Sequence, residues 1–145
     1  MPVREDWNLN SLALTLGLKE ELVELALTHP ANRRMAWLGD AVLYLAVTEH
    51  LYTASEAPTS QLDPDRQRTI ENPNLKRTAA EELHLNGLIH VLQSERDPNA
   101  KRIMATAFEA LIGTLFLEKE YEVASEFVAN LFSTIQSAGR EPSYG

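Results

Sequence analysis

Two acidic residues stand alone in long uncharged stretches of this sequence. Between residues 35 and 48 the one charged side chain is Asp40, and between residues 103 and 117 it is Glu109. An ionised carboxylate taken out of water without a partner is strongly disfavoured, and it must find a cation or take up a proton. Read as helices, the two stretches place Ala36, Leu43 and Tyr44 one turn from Asp40, and Ala105, Thr106, Ile112 and Gly113 one turn from Glu109. Both acids are therefore expected on packed faces, with no Lys or Arg one turn away to neutralise them. Two compensations are open. The acids cap neighbouring helices or pair with distant arginines, or they hold a bound cation. An all-oxygen donor set suits a hard divalent ion, and Mg²⁺ needs few protein carboxylates because it keeps most of its waters. Gly39 before Asp40 and Gly113 after Glu109 would let another backbone or a ligand come close.

The elements that must position these residues read as helices. Apolar residues recur at helical spacing, strand-like alternation is scarce, and prolines at 30, 58, 64, 73 and 98 fall at plausible helix boundaries. The expected fold class is all-α. Residues 9–16 and 19–28 read as two short helices split by Gly17, followed by a long helix over about 33–52. Residues 53–64 read as the longest loop, with 60–63 as an alternative start for the next helix. Two or three shorter helices fill 65–92, broken near Pro73 and near Asn86-Gly87. Asp97 or Asn99 is placed to cap a long helix ending near 118. The stripe Val123, Phe127, Val128, Leu131 and Ile135 marks a last amphipathic helix over about 121–137, with its apolar side in the core.

A chain of 145 residues, 44% apolar, has room for one well-filled domain. The absence of cysteine excludes disulfides and thiolate metal sites. The first ten residues carry Arg4, Glu5 and Asp6 ahead of any apolar run, unlike a signal peptide, and no stretch is long enough for a membrane span. A soluble, cytoplasmic protein without membrane association is expected. The net charge of −8 argues against nucleic-acid binding by overall basicity. The basic residues are clustered, however. Nine of the 13 lie between positions 33 and 102, and eight of those form the close pairs Arg33/Arg34, Arg66/Arg68, Lys76/Arg77 and Lys101/Arg102. The four histidines have no metal-ligand spacing; His29 is expected to end or brace a helix, and His50, His84 and His90 to lie at the surface or in packing.

Two longer blocks carry a resemblance. Ala26-Leu27-Thr28-His29-Pro30 followed by Arg34-Met35-Ala36-Trp37-Leu38-Gly39-Asp40-Ala41-Val42-Leu43 resembles the signature of RNase III catalytic domains. Ala105-Thr106-Ala107-Phe108-Glu109-Ala110-Leu111-Ile112-Gly113 is similar to that family's second acidic motif, and residues 66–75 resemble the segment between them. The likeness spans roughly residues 8–135. It departs at two positions, where Ala36 and Thr106 stand in place of the usual acids. The smaller bacterial Mini-III branch looks similar at these same places, and Phe116-Leu117-Glu118-Lys119 continues the likeness.

The resemblance implies a catalytic domain over 1–138, a flexible tail over 139–145 and no separate double-stranded RNA-binding domain. It implies an endoribonuclease cleaving double-stranded RNA, in ribosomal RNA precursors by analogy with Mini-III, with Mg²⁺ as cofactor and Mn²⁺ able to substitute. Asp40 and Glu109 become the catalytic metal ligands, with Thr106 offering its hydroxyl through water. It implies a homodimer joined across the Leu38-Gly39-Asp40 helix, so Trp37, Leu38 and Val42 are expected at the interface. Arg33, Arg34, Lys76, Arg77, Lys101 and Arg102 are the phosphate-contact candidates. Asn72 joins them, with a turn or capping role as its alternative. Ala36 and Thr106 keep a second function open, an inactive RNase III-like dimer that binds structured RNA or a ribosomal partner.

Overall fold

In the computed structural model, residues 6–92, 97 and 100–132 are described. The first helix, α1 (Leu9–Leu16), begins where the Asn8 side chain accepts from Ser11 N while Ser11 Oγ accepts from Asn8 N, so two free backbone groups are satisfied at once. It stops at Gly17, whose left-handed φ of 68° is open to glycine at little cost. After α2 (Glu20–Ala26), the short strand β1 (Thr28–His29) pairs in parallel with β2 (His90–Val91), Thr28 opposite His90. No residue pattern announced this pair. Two residues per strand are too few for alternation to register. His29 accordingly sits buried in β1, past the end of α2.

The long helix α3 (Arg33–Ala54) buries Ala36, Gly39, Val42, Leu43, Ala46, Val47 and Leu51, a spacing of three and four that fixes one inward face. Next come α4 (Thr59–Ile70) and α5 (Asn72–Glu81). The expected loop over 53–64 is thus largely helical, and Pro64 lies inside α4. The polar sequence of α4 buries little besides Thr69, which hid its periodicity, and Pro64 is tolerated on the exposed side.

The centre of the molecule is α6 (Lys101–Glu118), packed by α2, α3, α5 and α7 (Tyr121–Leu131). From Ile103 to Leu115 every residue is buried except Thr106 and Glu109, which are half-buried. A helix apolar on nearly all sides must be covered on nearly all sides, and these two residues mark the strip left open. Its N-cap is Ala100, without a side-chain bond; Asp97 contributes through its carbonyl, which accepts from Ala100 N, and Asn99 lies outside the described residues. Helix α7 ends at Leu131, with Phe132 turning inward edge-on to Phe108 at 5.8 Å between ring centres. The expected continuation to residue 137, Ile135 included, and the tail over 139–145 lie outside the described residues.

Candidate active site

Two glycines bring the helices together. A Cβ built on Gly39 would fall 1.7 Å from the Glu109 carbonyl oxygen, and one on Gly113 would fall 2.5 Å from the Met35 carbonyl oxygen. Gly39 lies against Glu109 and Met35 against Gly113, so α3 and α6 cross in opposite senses with their backbones touching. No other residue type fits either position without forcing the helices apart. The close approach expected from the sequence is that of one helix on the other.

At this crossing the two lone acids meet. The Glu109 carboxyl hydrogen-bonds Asp40, and its pKa is pushed up to about 8 by burial first, then by that bond and by the negative charge of Asp40. Like-charged groups at hydrogen-bond distance cannot both ionise freely, so the pair holds a proton at neutral pH unless a cation replaces it. The expected burial is corrected: Asp40 is exposed and Glu109 half-buried, because the crossing lies at the edge of the core. The oxygens are therefore reachable from solvent.

Thr106, one turn before Glu109, donates its hydroxyl to the Arg102 carbonyl at 2.8 Å, leaving its lone pairs free to accept. Ala36, one turn before Asp40, is buried and offers no polar group. Among the described residues no third Asp, Glu, His or Cys completes a metal-binding cluster. The donor set still fits a hard divalent cation: the Glu109 carboxyl lies within hydrogen-bond reach of Asp40, and no positive side chain is among the causes that raise it.

Comparison with known proteins assigns this arrangement to a family. Residues 19–135 match the family model described as Ribonuclease-III-like. The chain belongs to the ribonuclease-III-like family. It is 36% identical over 124 residues to Ribonuclease 3 of Variovorax paradoxus, covering 79% of this chain and 54% of that protein. It is 34% identical over 135 residues to Ribonuclease 3 of Oleidesulfovibrio alaskensis, covering 83% and 58%. The chain thus spans little more than half the length of these relatives. Its fold matches two structures of the nuclease domain of ribonuclease III from Campylobacter jejuni, with TM-scores of 0.75 and 0.72 at 27% and 25% identity, each covering 99% of that domain and 86% or 94% of this chain. The first of these concerns structural flexibility in a region involved in dimer formation of that protein.

The remaining sequence-selected residues fall into three groups on this ribonuclease-III fold. Arg33 and Arg102 each stand two turns before an acid on the same face of their helix, and the opposed helix directions put them at opposite ends of the acid pair. Both are exposed, as are Arg34 and Lys101. Lys76 and Arg77 are half-buried in α5, where Arg77 is committed to Asn74 and Glu81, and Asn72 is the exposed first residue of that helix, its N-cap being Glu71. Trp37 is 80% exposed, on the rim of a hollow of about 570 Å³ that Leu25, Met35, Leu38 and Leu117 also line. Val42 is corrected: it is 6% exposed and belongs to the chain's own core, because it lies on the α3 face turned to α6. Sequence reasoning did not select Arg66, which lies over the Tyr44 ring; its place in a basic pair and at the start of the 66–75 segment had marked it. No helix among the described residues is long and apolar enough to cross a membrane.

Proposed function

We propose that this chain is a cytoplasmic, metal-dependent endoribonuclease hydrolysing phosphodiester bonds in double-stranded RNA, with residues 1–138 as its catalytic domain and ribosomal RNA precursors as its substrate. The observation that carries it is the meeting of Asp40 and Glu109 at the Gly39–Gly113 crossing, open to solvent and without a neutralising side chain among the described residues. Asp40 and Glu109 would hold a divalent ion, Mg²⁺ or Mn²⁺ in its place, which when bound would supply an acidified water and neutralise charge on the leaving oxygen. Glu109 must give up its proton for both carboxylates to act as ligands. Asp40, exposed, would be the carboxylate open to an incoming phosphate, and Thr106, with its proton on the Arg102 carbonyl, would offer a lone pair to a water beside Glu109. With two protein carboxylates the affinity is weak, and activity calls for metal on the order of millimolar.

Two-fold assembly supports the duplex reading. One domain of this size covers little of an RNA helix, and a homodimer presents two acid pairs to the minor groove of A-form RNA, where shape, phosphates and 2′-hydroxyls are read. Trp37 and Leu38 on their apolar rim are the interface candidates, since so large an exposed aromatic beside an apolar hollow suits a covered surface. Arg33 and Arg102 flank the acids as phosphate contacts, with Arg34, Lys76, Lys101 and Asn72 further out and Arg77 acting through α5. The likeness to Mini-III at Ala36 and Thr106 belongs to this proposal, because that branch cleaves RNA with the same two replacements.

That no third carboxylate joins the pair among the described residues favours one rival, an inactive module that binds structured RNA. A labelled RNA duplex incubated with Mg²⁺ separates the two. Accumulating fragments decide for the enzyme, and a shifted but intact duplex decides for the module.

A further inference from the structure

Arg66 is held more firmly than the exposed cations around the acid pair. Its guanidinium carbon lies 4.4 Å from the centre of the Tyr44 ring, Nη1 donates to Thr48 Oγ1 at 3.1 Å and Nη2 pairs with Asp63 at 2.8 Å. Nε is buried without an acceptor. A buried donor left unmet weakens a fold, so the side chain is not arranged to maximise its own bonding. What the arrangement does achieve is a fixed, planar cation at a defined place, with one further N–H on each terminal nitrogen and an edge that solvent reaches.

That place is informative. Tyr44 and Thr48 follow Asp40 by one and two turns on α3, so Arg66 lies along the acid-bearing side of the helix, about 6–12 Å further along its axis. It acts too far off to relieve the acids, since no arginine is among the causes of the Glu109 shift. Arg66 also borders an open hollow of about 540 Å³ between α3 and α4, which the hydroxyl-bearing Tyr52, Thr59 and Ser60 line, together with Thr48, whose own proton goes to the Tyr44 carbonyl at 2.7 Å. The first turn of α4 borders the same hollow, at the end of a helix that favours anions. Asp63 lines it too and opposes an anion, yet its side chain is 60% exposed and its pairing with Arg66 is a surface contact that a phosphate displaces.

We propose that this hollow is a phosphate-binding subsite, in which Arg66 and the hydroxyl of Ser60 hold a backbone phosphate beside the one cleaved, while Thr48, its proton given to the Tyr44 carbonyl, fixes Arg66 from behind. The subsite rests on the ribonuclease reading and adds to it a register: the scissile bond meets Asp40 and Glu109 only when the neighbouring phosphate is seated. Arg66 is thus a positioning residue, whose planar cation is set in place by Tyr44 before the substrate arrives.

The test is binding of a labelled short RNA duplex in metal-free buffer, measured over a series of KCl concentrations for wild type, Arg66→Gln, Arg66→Lys and Ser60→Asp, with the melting temperature of each. Each phosphate contact contributes roughly 0.9 to the slope of log affinity against log salt. Arg66→Gln is expected to lower the slope by about that amount per site and to weaken low-salt binding about tenfold. Arg66→Lys retains most of the slope, because the charge is kept. Ser60→Asp places an acid in the first turn of α4, where it favours the helix, so it should melt no lower than wild type while weakening binding. A wild-type slope in Arg66→Gln, or wild-type affinity in Ser60→Asp, would overturn the subsite alone. Failure of the wild type itself to bind duplex would overturn the ribonuclease reading and the subsite with it.

Discussion

At Glu109 a single proton links the pH, the fold and the proposed metal. Its carboxyl takes up a proton near pH 8 in the folded chain and near its ordinary 4.5 in the unfolded chain. Between those values the folded state binds a proton that the unfolded state does not, so stability is highest below about pH 4.5 as far as this group is concerned and falls as pH rises towards about 8. Denaturant unfolding without metal should accordingly give a lower midpoint at about pH 8 than at about pH 5 from this site, and Asp40→Asn should flatten the difference by removing the charge that helps raise the pKa. Added Mg²⁺ competes with the same proton, so its binding should tighten with rising pH and level off above about 8. Calorimetric titration across that range checks the sign, and an affinity independent of pH would contradict metal binding at Glu109.

Contact between α3 and α6 depends on two residues without side chains. Gly39→Ala and Gly113→Ala each set a methyl group against backbone, where no rotamer change relieves it, so a loss at or above the top of the usual 1–3 kcal/mol range for overpacking is expected, about 3 kcal/mol. Thermal melting measures the loss. A carboxyl-resolved NMR titration of whatever folded fraction survives should return Glu109 towards its ordinary range as Asp40 moves away. Much at this scale was legible in advance. The bounds of α1 followed from Gly17, those of α3 from its apolar spacing, and the uncharged run around Glu109 announced a central helix. What escaped was of three physical kinds. Strands of two residues carry no period, α4 is too polar to show a buried face, and the exposure of Asp40 depends on where along α3 the crossing falls, which no single helix reveals. Val42 shows the same limit, since one heptad of α3 turns Trp37 outward and Val42 inward and only the position of α6 decides which is which.

For the whole molecule, the uneven surface sets the expectations. A chain with net charge −8 approaches RNA against its own field, and the cations that help are confined to a few positions around the acid pair. Trp37, Leu25 and Leu117 leave a wide apolar area open beside them. In the proposed dimer this area is covered, and Trp37→Ala should shift sedimentation towards the monomer while leaving the helical circular dichroism signal intact, because an 80% exposed side chain supports little of its own core. A wild-type protein that sediments as a monomer at high concentration would remove the two-fold arrangement. Cleavage itself is the more direct test of the central claim, that two isolated acids meeting on crossed helices suffice for metal-dependent hydrolysis. Incubating a labelled long RNA duplex with Mg²⁺ and either wild type or Asp40→Asn should give fragments with the first and at least about a hundredfold fewer with the second, a difference of about 2.7 kcal/mol in barrier; equal cleavage by the two proteins, or none by wild type, would contradict it.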